Sequence, residues 1–396
     1  MDNKAKLQNI LKENGGILRL KPIFVPRRFG AAGKRLRLHP DDYFALGTVR
    51  GSIKERWFSS IIRAMNGPLA AEDEGMSYVC TGEEQILLKD FVDTLGAELL
   101  GDDMMERYGT WPMYSKFFDY EDALFHHLHL DFESAARVGR LGKPEAYYYP
   151  PQLNNYAGTA PYTYFGFSPE VSREDVKERL ADFENKDTKI TEISRAYRIQ
   201  LGTGWYTAPG VVHAPGSYLT YEPQWNSDVN SVYENIAKNE VYPYEMLVEN
   251  CPEDKQHDLD YVLDLMDWEK NIDPEYKKHY FRPPVVCTED DKHIEKWIVY
   301  GNPYVAAKEL TVYPGCEVTI TDNTAFGCIL TQGHGTIGTH AAETACMLRL
   351  GQESADEFFV SYDAASSGVT IRNNSAHEPL VMLKHFPYNP EVIDCE

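Results

Sequence analysis

Most of the chain alternates short apolar runs with polar residues, and glycine and proline interrupt the runs. ILRLKPIFV begins at Ile17, and GSIKERWFSS at residues 51–60 alternates charged and apolar side chains. The stretch from Trp111 to Asp131 has the same character, and ISRAYRIQLGTGWYTAPGVVHAPGSYLTYEPQW follows from Ile193. Side chains two apart on a strand share one face, so these runs predict half-buried strands. Their frequent Gly and Pro are typical of antiparallel barrels and not of alternating strands and helices.

Helical spacing of apolar residues interrupts this β pattern at a few places. SPE, at residues 168–170, predicts a helix start, because Ser168 can cap the first turn and Pro169 suits its first position. DLDYVLDLMDWE, from Asp258, places its apolar residues on one helical face. The predicted helical segments are residues 1–15, about 82–108, about 168–185 and 258–269.

These elements divide the chain into two β regions. Residues 1–250 are predicted to form an N-terminal barrel domain that carries the helical insertions. Residues 251–284 contain the bridging helix and a linker, and residues 285–396 are again dense in alternating strands such as AAKELTVY and GVTIRN. A chain of 396 residues is long enough for two such domains with buried cores.

The charge balance limits the classes of molecule that the protein is expected to bind. With 39 basic and 61 acidic residues, the net charge is −22, which argues against nucleic acid or an anionic membrane as a partner. No apolar run approaches the roughly 18 residues of a transmembrane helix. The start, MDNKAKLQNILKENGG, lacks the apolar core of a secretory signal, and the seven cysteines are scattered without a CxxC motif. The expectation is a cytoplasmic protein with reduced thiols.

One stretch, ALFHHLHLDFESAARVGRLGKPEAYYY, concentrates the candidate chemistry. His127 and His129 are two apart and share one strand face, as do Lys143 and Glu145 further on. With His213 downstream, three imidazoles and a carboxylate converging inside a barrel would suit a divalent metal such as Zn or Fe. The alternative is a polar edge strand and a solvated Glu145, but the complete set favours the metal.

One further histidine and one further cluster favour structural roles. His126 would point to the face opposite its neighbours, which suits a core or surface histidine. QGHGTIGTHAAE offers His334, His340 and Glu343 as a second metal site, but its glycines favour a loop.

The order of these motifs resembles the type I mannose-6-phosphate isomerases, zinc enzymes built on two cupin barrels. GKPEAYYY matches the family's Lys-Pro-Glu motif at Lys143 and Glu145. The family's Gln-x-His strand places His127 at the Gln and His129 at the His, and APGVVHAPG resembles the turn that carries the last ligand, His213. The resemblance extends over nearly the whole chain through further matches at Glu222 with Ser227 and Asp228 (the Glu-x4-Ser-Asp run), ERW with Glu55 and Trp57, and DLDYVLDLMDWE.

The resemblance implies a mainly β fold of two cupin (double-stranded β-helix, or jelly-roll) barrels with helical insertions. The N-terminal barrel would hold Zn2+ or another divalent metal, and the C-terminal barrel would be metal-free. The implied metal ligands are His127, His129, Glu145 and His213.

The chain departs from the family at two positions. His127 replaces the glutamine ligand, which a divalent metal tolerates. The family also has an arginine a few residues after Ser-Asp, facing the substrate, where this chain has Val232. No Arg occurs between Arg198 and Arg282, so Lys238 is the candidate replacement for a substrate phosphate.

The implied activity is a zinc-dependent aldose–ketose isomerisation of a mannose 6-phosphate-like hexose through a cis-enediol. It needs a base beside C1 and C2 and a positive centre where the enediolate charge develops. Glu222 is the expected base, because its strand should re-enter the barrel after His213, and Lys143 is expected to donate to a substrate oxygen. A structural role for Glu222 and a salt bridge for Lys143 remain the alternatives. The expected substrate contacts are Lys116, Lys238, Asp228, Glu55 and Trp57, with Asp228 also a candidate to orient a metal ligand.

Three functions from different classes remain open on the sequence alone. The first is the isomerase, acting on a small sugar or sugar phosphate. The second is a sugar-binding or regulatory cupin without catalysis, which the missing arginine favours. The third is a non-haem iron oxygenase, since histidines and a carboxylate also suit Fe(II). A homo-oligomer is open in each case.

Overall fold

The computed structural model describes residues 3–82, 84–156 and 158–387. Residues 388–396, the end of the predicted C-terminal barrel, lie outside the described residues. The helices are α1 (Asn3–Glu13), α2 (Leu88–Leu95), α3 (Ala97–Leu100), α4 (Asp102–Tyr108), α5 (Phe132–Ala136), α6 (Arg173–Leu180), α7 (Glu245–Val248), α8 (Leu259–Asp264), α9 (Trp268–Asn271), α10 (Tyr276–Tyr280) and α11 (Tyr362–Ser367). The strands of the first part are β1 (Ile17–Arg19), β2 (Ile23–Pro26), β3 (Ile53–Phe58), β4 (Tyr78–Cys80), β5 (Gln85–Leu87), β6 (Met113–Phe118), β7 (His127–Leu128), β8 (Glu145–Tyr148), β9 (Tyr162–Phe167), β10 (Ser194–Arg198), β11 (Gly204–Thr207), β12 (His213–Ala214), β13 (Thr220–Trp225), β14 (Ser231–Val232), β15 (Ile236–Ala237) and β16 (Glu240–Val241). The later strands are β17 (Phe281–Arg282), β18 (Val285–Glu289), β19 (His293–Val299), β20 (Val305–Val312), β21 (Glu317–Ile320), β22 (Phe326–Gln332), β23 (His334–Ile337), β24 (His340–Glu343), β25 (Glu357–Val360), β26 (Val369–Asn373) and β27 (Leu380–Pro387).

The strands form two sandwiches of antiparallel sheets. In the N-terminal sandwich, a seven-stranded sheet in the order β17-β11-β8-β13-β6-β3-β2 faces a five-stranded sheet, β10-β9-β12-β7-β14. In the C-terminal sandwich, a seven-stranded sheet in the order β1-β25-β22-β27-β20-β19-β18 faces a four-stranded sheet, β21-β26-β23-β24. The mainly β, antiparallel class predicted from the sequence is confirmed.

The two seven-stranded sheets pack against each other and make the largest apolar core. Phe117 and Tyr221 of the N-terminal sheet share it with Ile329 and Leu383 of the C-terminal sheet. The central sheets are therefore covered on both faces. This explains why β3, with the sequence IKERWF, is buried at all six positions although half of its side chains are charged.

The sheets exchange strands at their edges. β1 lies near the start of the chain, yet it pairs with β25 in the C-terminal sandwich through Ile17 and Val360. β17 lies within the predicted linker region, residues 251–284, and pairs with β11 in the N-terminal sandwich. The sheets therefore do not divide the chain into consecutive segments.

Several local predictions were wrong. Residues 85–87, at the start of the helical segment predicted over about 82–108, form strand β5, and the rest of that segment divides into α2, α3 and α4 because Gly96 and Gly101 adopt positive φ and end the helices before them. The helix predicted from Ser168 begins at Arg173, because Ser172 and Asp175 form a reciprocal capping box there. The predicted loop QGHGTIGTHAAE is a hairpin of β23 and β24, in which the amide hydrogen bonds of the strands outweigh the turn signal of the glycines. No helix in the described part of the chain is long and apolar enough to cross a membrane.

Candidate metal centre

The predicted metal ligands come from both sheets of the N-terminal sandwich. His127 on β7 and His213 on β12 are direct cross-strand partners in the five-stranded sheet, and His129 follows one residue after β7. Glu145 begins β8 in the facing seven-stranded sheet. The site therefore lies between the two sheets, where strand periodicity turns these side chains inward.

The four predicted ligands converge. Ligand nitrogens of His127, His129 and His213 lie within 4.8 Å of one another. The Glu145 Oε2 atom is 3.1 Å from His129 Nε2, and Oε1 is 3.3 Å from His213 Nε2. All four residues are buried. A group of side chains this close and this shielded from water is suited to surround one cation.

Backbone carbonyls select the tautomer of each imidazole. In each ring, Nδ1 lies 2.7–2.9 Å from a carbonyl oxygen, which can only accept a hydrogen bond. Nδ1 therefore carries the proton and Nε2 keeps the lone pair that a metal needs. The accepting carbonyls of His127, His129 and His213 belong to Phe125, Val229 and Val211, respectively.

The charges also suit a divalent metal. Burial lowers the pKa of His127, and burial together with nearby Lys143 lowers the pKa of His129 to about 4. Burial opposes ionisation of Glu145, but Lys143 and His129 outweigh it and hold its pKa well below the usual value. At neutral pH, His127 and His129 are therefore neutral and Glu145 is ionised. His213 Nε2 and Glu145 Oε1 lack a hydrogen-bond partner, as expected of atoms that ligate a metal.

A lysine and a second carboxylate adjoin this centre. Lys143 Nζ lies 2.9 Å from Glu145 Oε2 and 3.0 Å from His129 Nε2. Glu222 Oε1 lies 3.1 Å from Lys116 Nζ and 3.6 Å from Lys143 Nζ. Burial, with a further contribution from the charge of Glu145, raises the pKa of Glu222 to about 8 in spite of the two ammonium groups. Glu222 can therefore hold or release a proton near neutral pH.

An ion-pair cluster centred on Arg27 lies close to Lys116, the partner of Glu222. The guanidinium of Arg27 contacts Glu55 at 3.0 Å through Nε and Nη2, and it contacts Asp228 at 2.7 and 3.1 Å. The Trp57 indole donates to Glu55 at 2.8 Å. Arg27 was not among the residues predicted from the sequence. No pattern in the sequence indicated it, because its contact with Glu55 depends on the pairing of β2 with β3, in which Val25 is opposite Glu55.

These groups surround a cavity of about 850 Å³ that opens to solvent. Of the predicted site residues, those that line it are Lys116, His127, His129, Lys143, Glu145, Glu222, Asp228 and Glu55. Trp57 is fully buried and contacts two residues of the cavity wall, Glu55 through its indole N–H and Arg27, whose guanidinium lies 5.7 Å from its ring centre.

Lys238 and Val232 do not contribute to this wall. Lys238 is exposed in the two-residue turn between β15 and β16, with a positive φ of 50°, and it is not a lining residue. Val232 is fully buried in an apolar cluster with Phe125 and Tyr242. His126, as predicted, turns away from the centre, and its Nδ1 lies 2.8 Å from Glu234.

Structural comparison finds the same fold in mannose 6-phosphate isomerases. The enzyme from Bacillus subtilis aligns with a TM-score of 0.61 at 15% identity, over 94% of this chain and 99% of that chain. A zinc-bound mannose 6-phosphate isomerase aligns with a TM-score of 0.60 at 12% identity, over 94% and 99%. A mutant phosphomannose isomerase from Salmonella typhimurium aligns with a TM-score of 0.60 at 12% identity, over 93% and 99%. Neither the family models nor the curated proteins give a match.

At these identities the likeness shows the fold alone. The chain has the cupin fold of the mannose-6-phosphate isomerases, as predicted, and its N-terminal sandwich holds a buried three-histidine cluster able to bind a metal.

Proposed function

We propose that this protein is a metal-dependent aldose–ketose isomerase that acts on a hexose or hexose phosphate through a cis-enediol. The observation that carries the proposal is the buried centre of three histidines and Glu145, together with Glu222, a carboxylate of raised pKa that lines the same cavity as His127, His129 and Glu145. The fold shared with mannose 6-phosphate isomerases supports the same conclusion.

His127, His129, His213 and Glu145 would hold the metal, with zinc the expected ion. A divalent ion bound there supplies a Lewis acid that stabilises negative charge on the sugar oxygens. The chain prepares this site in advance, because the backbone carbonyls orient the imidazoles before the ion arrives.

Glu222 is the group that moves the proton between C1 and C2. A base works best when its pKa is near the working pH, and the raised pKa of Glu222 meets that condition. Lys143, beside both Glu145 and Glu222, donates to the substrate oxygen next to the reacting carbon. Lys116 keeps the carboxylate of Glu222 in place.

The test is exchange of the sugar C2 proton in deuterated water. Protein loaded with zinc is incubated with free and phosphorylated aldohexoses, and NMR follows deuterium at C2 and ketose formation. We expect ketose formation with at least one sugar, and its absence with every sugar rejects the isomerase. Deuterium in the sugar reports how often the proton on Glu222 exchanges with solvent before it is returned. Sugar binding without exchange would indicate a non-catalytic cupin, and iron with oxygen consumption would indicate an oxygenase.

Glu222→Gln supplies the matched test of the base. It should reduce exchange by roughly 10²–10⁴-fold, the usual contribution of general acid–base catalysis, while the metal content stays unchanged. Exchange at the wild-type rate would remove Glu222 from the mechanism.

A further inference from the structure

The guanidinium of Arg27 is fully engaged by acidic and amide oxygens. Nε and Nη2 donate to Glu55, Nη1 and Nη2 donate to Asp228, and Nη1 also donates to Asn66 at 3.0 Å. The Arg27 side chain is only 8% exposed. All five N–H bonds are accounted for, so this arginine has no donor left for a substrate.

Lys116 lies between this cluster and Glu222. Its strand, β6, runs between β13 and β3, and Lys116 is opposite Glu222 on one side and Trp57 on the other. Glu55 is two residues from Trp57 and therefore shares the face of Lys116. The ammonium group nevertheless pairs with Glu222, at 3.1 Å.

Without Arg27, the charges around Lys116 would change. Arg27 is the strongest cationic influence on both Glu55 and Asp228, and Lys116 is the next cation acting on each of them. Two buried carboxylates left without the guanidinium would carry a large desolvation cost, and a neighbouring ammonium is the group that can relieve it.

We propose that Arg27 is a positioning residue, which neutralises Glu55 and Asp228 so that Lys116 remains on Glu222. The kinetic readout of this inference rests on the proposed function, whereas its structural readout does not. Because Arg27 has no free donor, it acts on the reaction step and not on substrate binding. Its loss therefore lowers kcat equally for free and phosphorylated sugars and leaves KM nearly unchanged.

A double-mutant cycle of Arg27→Gln and Lys116→Met tests the coupling. Arg27→Gln should lower kcat on the order of 10-fold or more, with KM and metal content close to wild type. In the Lys116→Met background the same change should cost less than about 3-fold, because the residue through which Arg27 acts is already gone. Losses that multiply independently, or a change confined to KM, would overturn the proposal.

A crystal structure of Arg27→Gln gives the readout that needs no activity. Lys116 Nζ should leave Glu222 and contact Glu55 or Asp228, and an unmoved Lys116 would overturn the proposal. Turnover failing in the metal-loaded wild type would reject the isomerase, while this structure would still decide the role of Arg27. If Arg27→Gln does not fold, the charge-compensated variant Arg27→Gln/Glu55→Gln/Asp228→Asn replaces it and should keep Lys116 on Glu222.

Arg35→Gln is the matched control. Arg35 is also a buried arginine paired with a carboxylate, Asp119 at 2.7 Å, but it does not line the cavity. This variant should lose stability without changing kcat per folded molecule and without coupling to Lys116→Met. Coupling of the same size as for Arg27 would show that any buried arginine gives the effect, and would overturn the assignment.

Discussion

At the scale of single residues, the orientation of the three imidazoles depends on backbone atoms, which no side-chain substitution removes. Each imidazole receives its orientation from a backbone carbonyl, so the ligand geometry follows from the strands themselves. Glu145 crosses from the facing sheet and closes the group. Metal binding should therefore depend on the ligand side chains far more than on their polar neighbours.

Substitution of the ligands should remove the metal in a graded way. His129→Ala and Glu145→Ala should weaken zinc binding by more than the roughly 10–100-fold typical of outer-shell partners. His127→Gln should be the mildest change, because an amide oxygen can still ligate. The measurement is metal content of untagged protein by mass spectrometry, with affinity from chelator competition. His126→Gln is the control, since His126 turns away to Glu234, and stoichiometric zinc in both alanine variants would contradict the centre.

Whether the substrate carries a phosphate can be tested by substitution of Arg28 and Arg140. Both line the cavity, and neither makes an ion pair or side-chain hydrogen bond within the described residues. A phosphate dianion needs such uncommitted donors. If the substrate is a hexose phosphate, Arg28→Gln or Arg140→Gln should raise its KM about 10–100-fold, a loss of about 1.5–3 kcal/mol, and hardly affect a free hexose.

Lys238→Ala is the control for the two arginines, because Lys238 is exposed in a hairpin turn outside the cavity wall. Its KM for both sugars should match the wild type. A larger effect at Lys238 than at either arginine would show that the hairpin closes over the bound substrate.

One part of the candidate centre, the shared face of His127 and His129, could be predicted from the sequence because it depends on a local rule. His127 and His129 share a face by strand periodicity alone. Arg27 could not be predicted, because its partners come from residues 28 and 201 positions away in the chain. Which arginine meets Glu55 is decided by the pairing of β2 with β3, and single-sequence patterns do not specify that pairing.

At the scale of elements, helix α6 shows how one serine decides where a helix begins. The sequence analysis named Ser168 as the cap, although Ser172 carries the same hydroxyl that can cap a helix. Only Ser172 has an acidic residue three positions later that can return the hydrogen bond, and the structure places the capping box there. The proline after Ser168 favoured the earlier start but supplies no such reciprocal pair.

The two serines can be compared directly by mutation. Ser172→Ala should lower the free energy of unfolding by about 1 kcal/mol, the usual cost of losing an N-cap. Ser168→Ala should change it by no more than about 0.5 kcal/mol, as for an ordinary surface substitution. Urea denaturation followed by circular dichroism measures both, and equal losses would contradict the assigned cap.

At the scale of the whole molecule, polar contacts cross the apolar core between the two sandwiches. Arg56 on β3 donates to Asp356 at 2.7 and 2.9 Å, and it also lies 3.5 Å from Glu357 on β25. One guanidinium thus contacts two buried carboxyl groups of the C-terminal sandwich. These contacts could not be predicted from the sequence, because they exist only once the two seven-stranded sheets have packed face to face.

Glu357 should make the stability of the whole molecule depend on pH. Burial raises its pKa to about 8, and Arg56 only partly offsets this. The folded state therefore keeps a proton that the unfolded state releases above its usual pKa of about 4.3. Because the unfolded state binds fewer protons in that window, the free energy of unfolding falls as pH rises from about 4.3 to about 8, by at most about 1.4 kcal/mol per pH unit for this group.

Glu357→Gln should remove that part of the slope. Glu222 also has a raised pKa, so the informative quantity is the difference between variant and wild type in urea unfolding at several pH values between 5 and 8. The variant should gain stability relative to wild type as the pH rises, since the amide needs no proton to remain buried. Glu343→Gln, at an exposed strand position, should keep the wild-type slope. If Glu357→Gln also keeps it, Glu357 is ionised in the folded protein, and Arg56 neutralises both carboxylates at the interface.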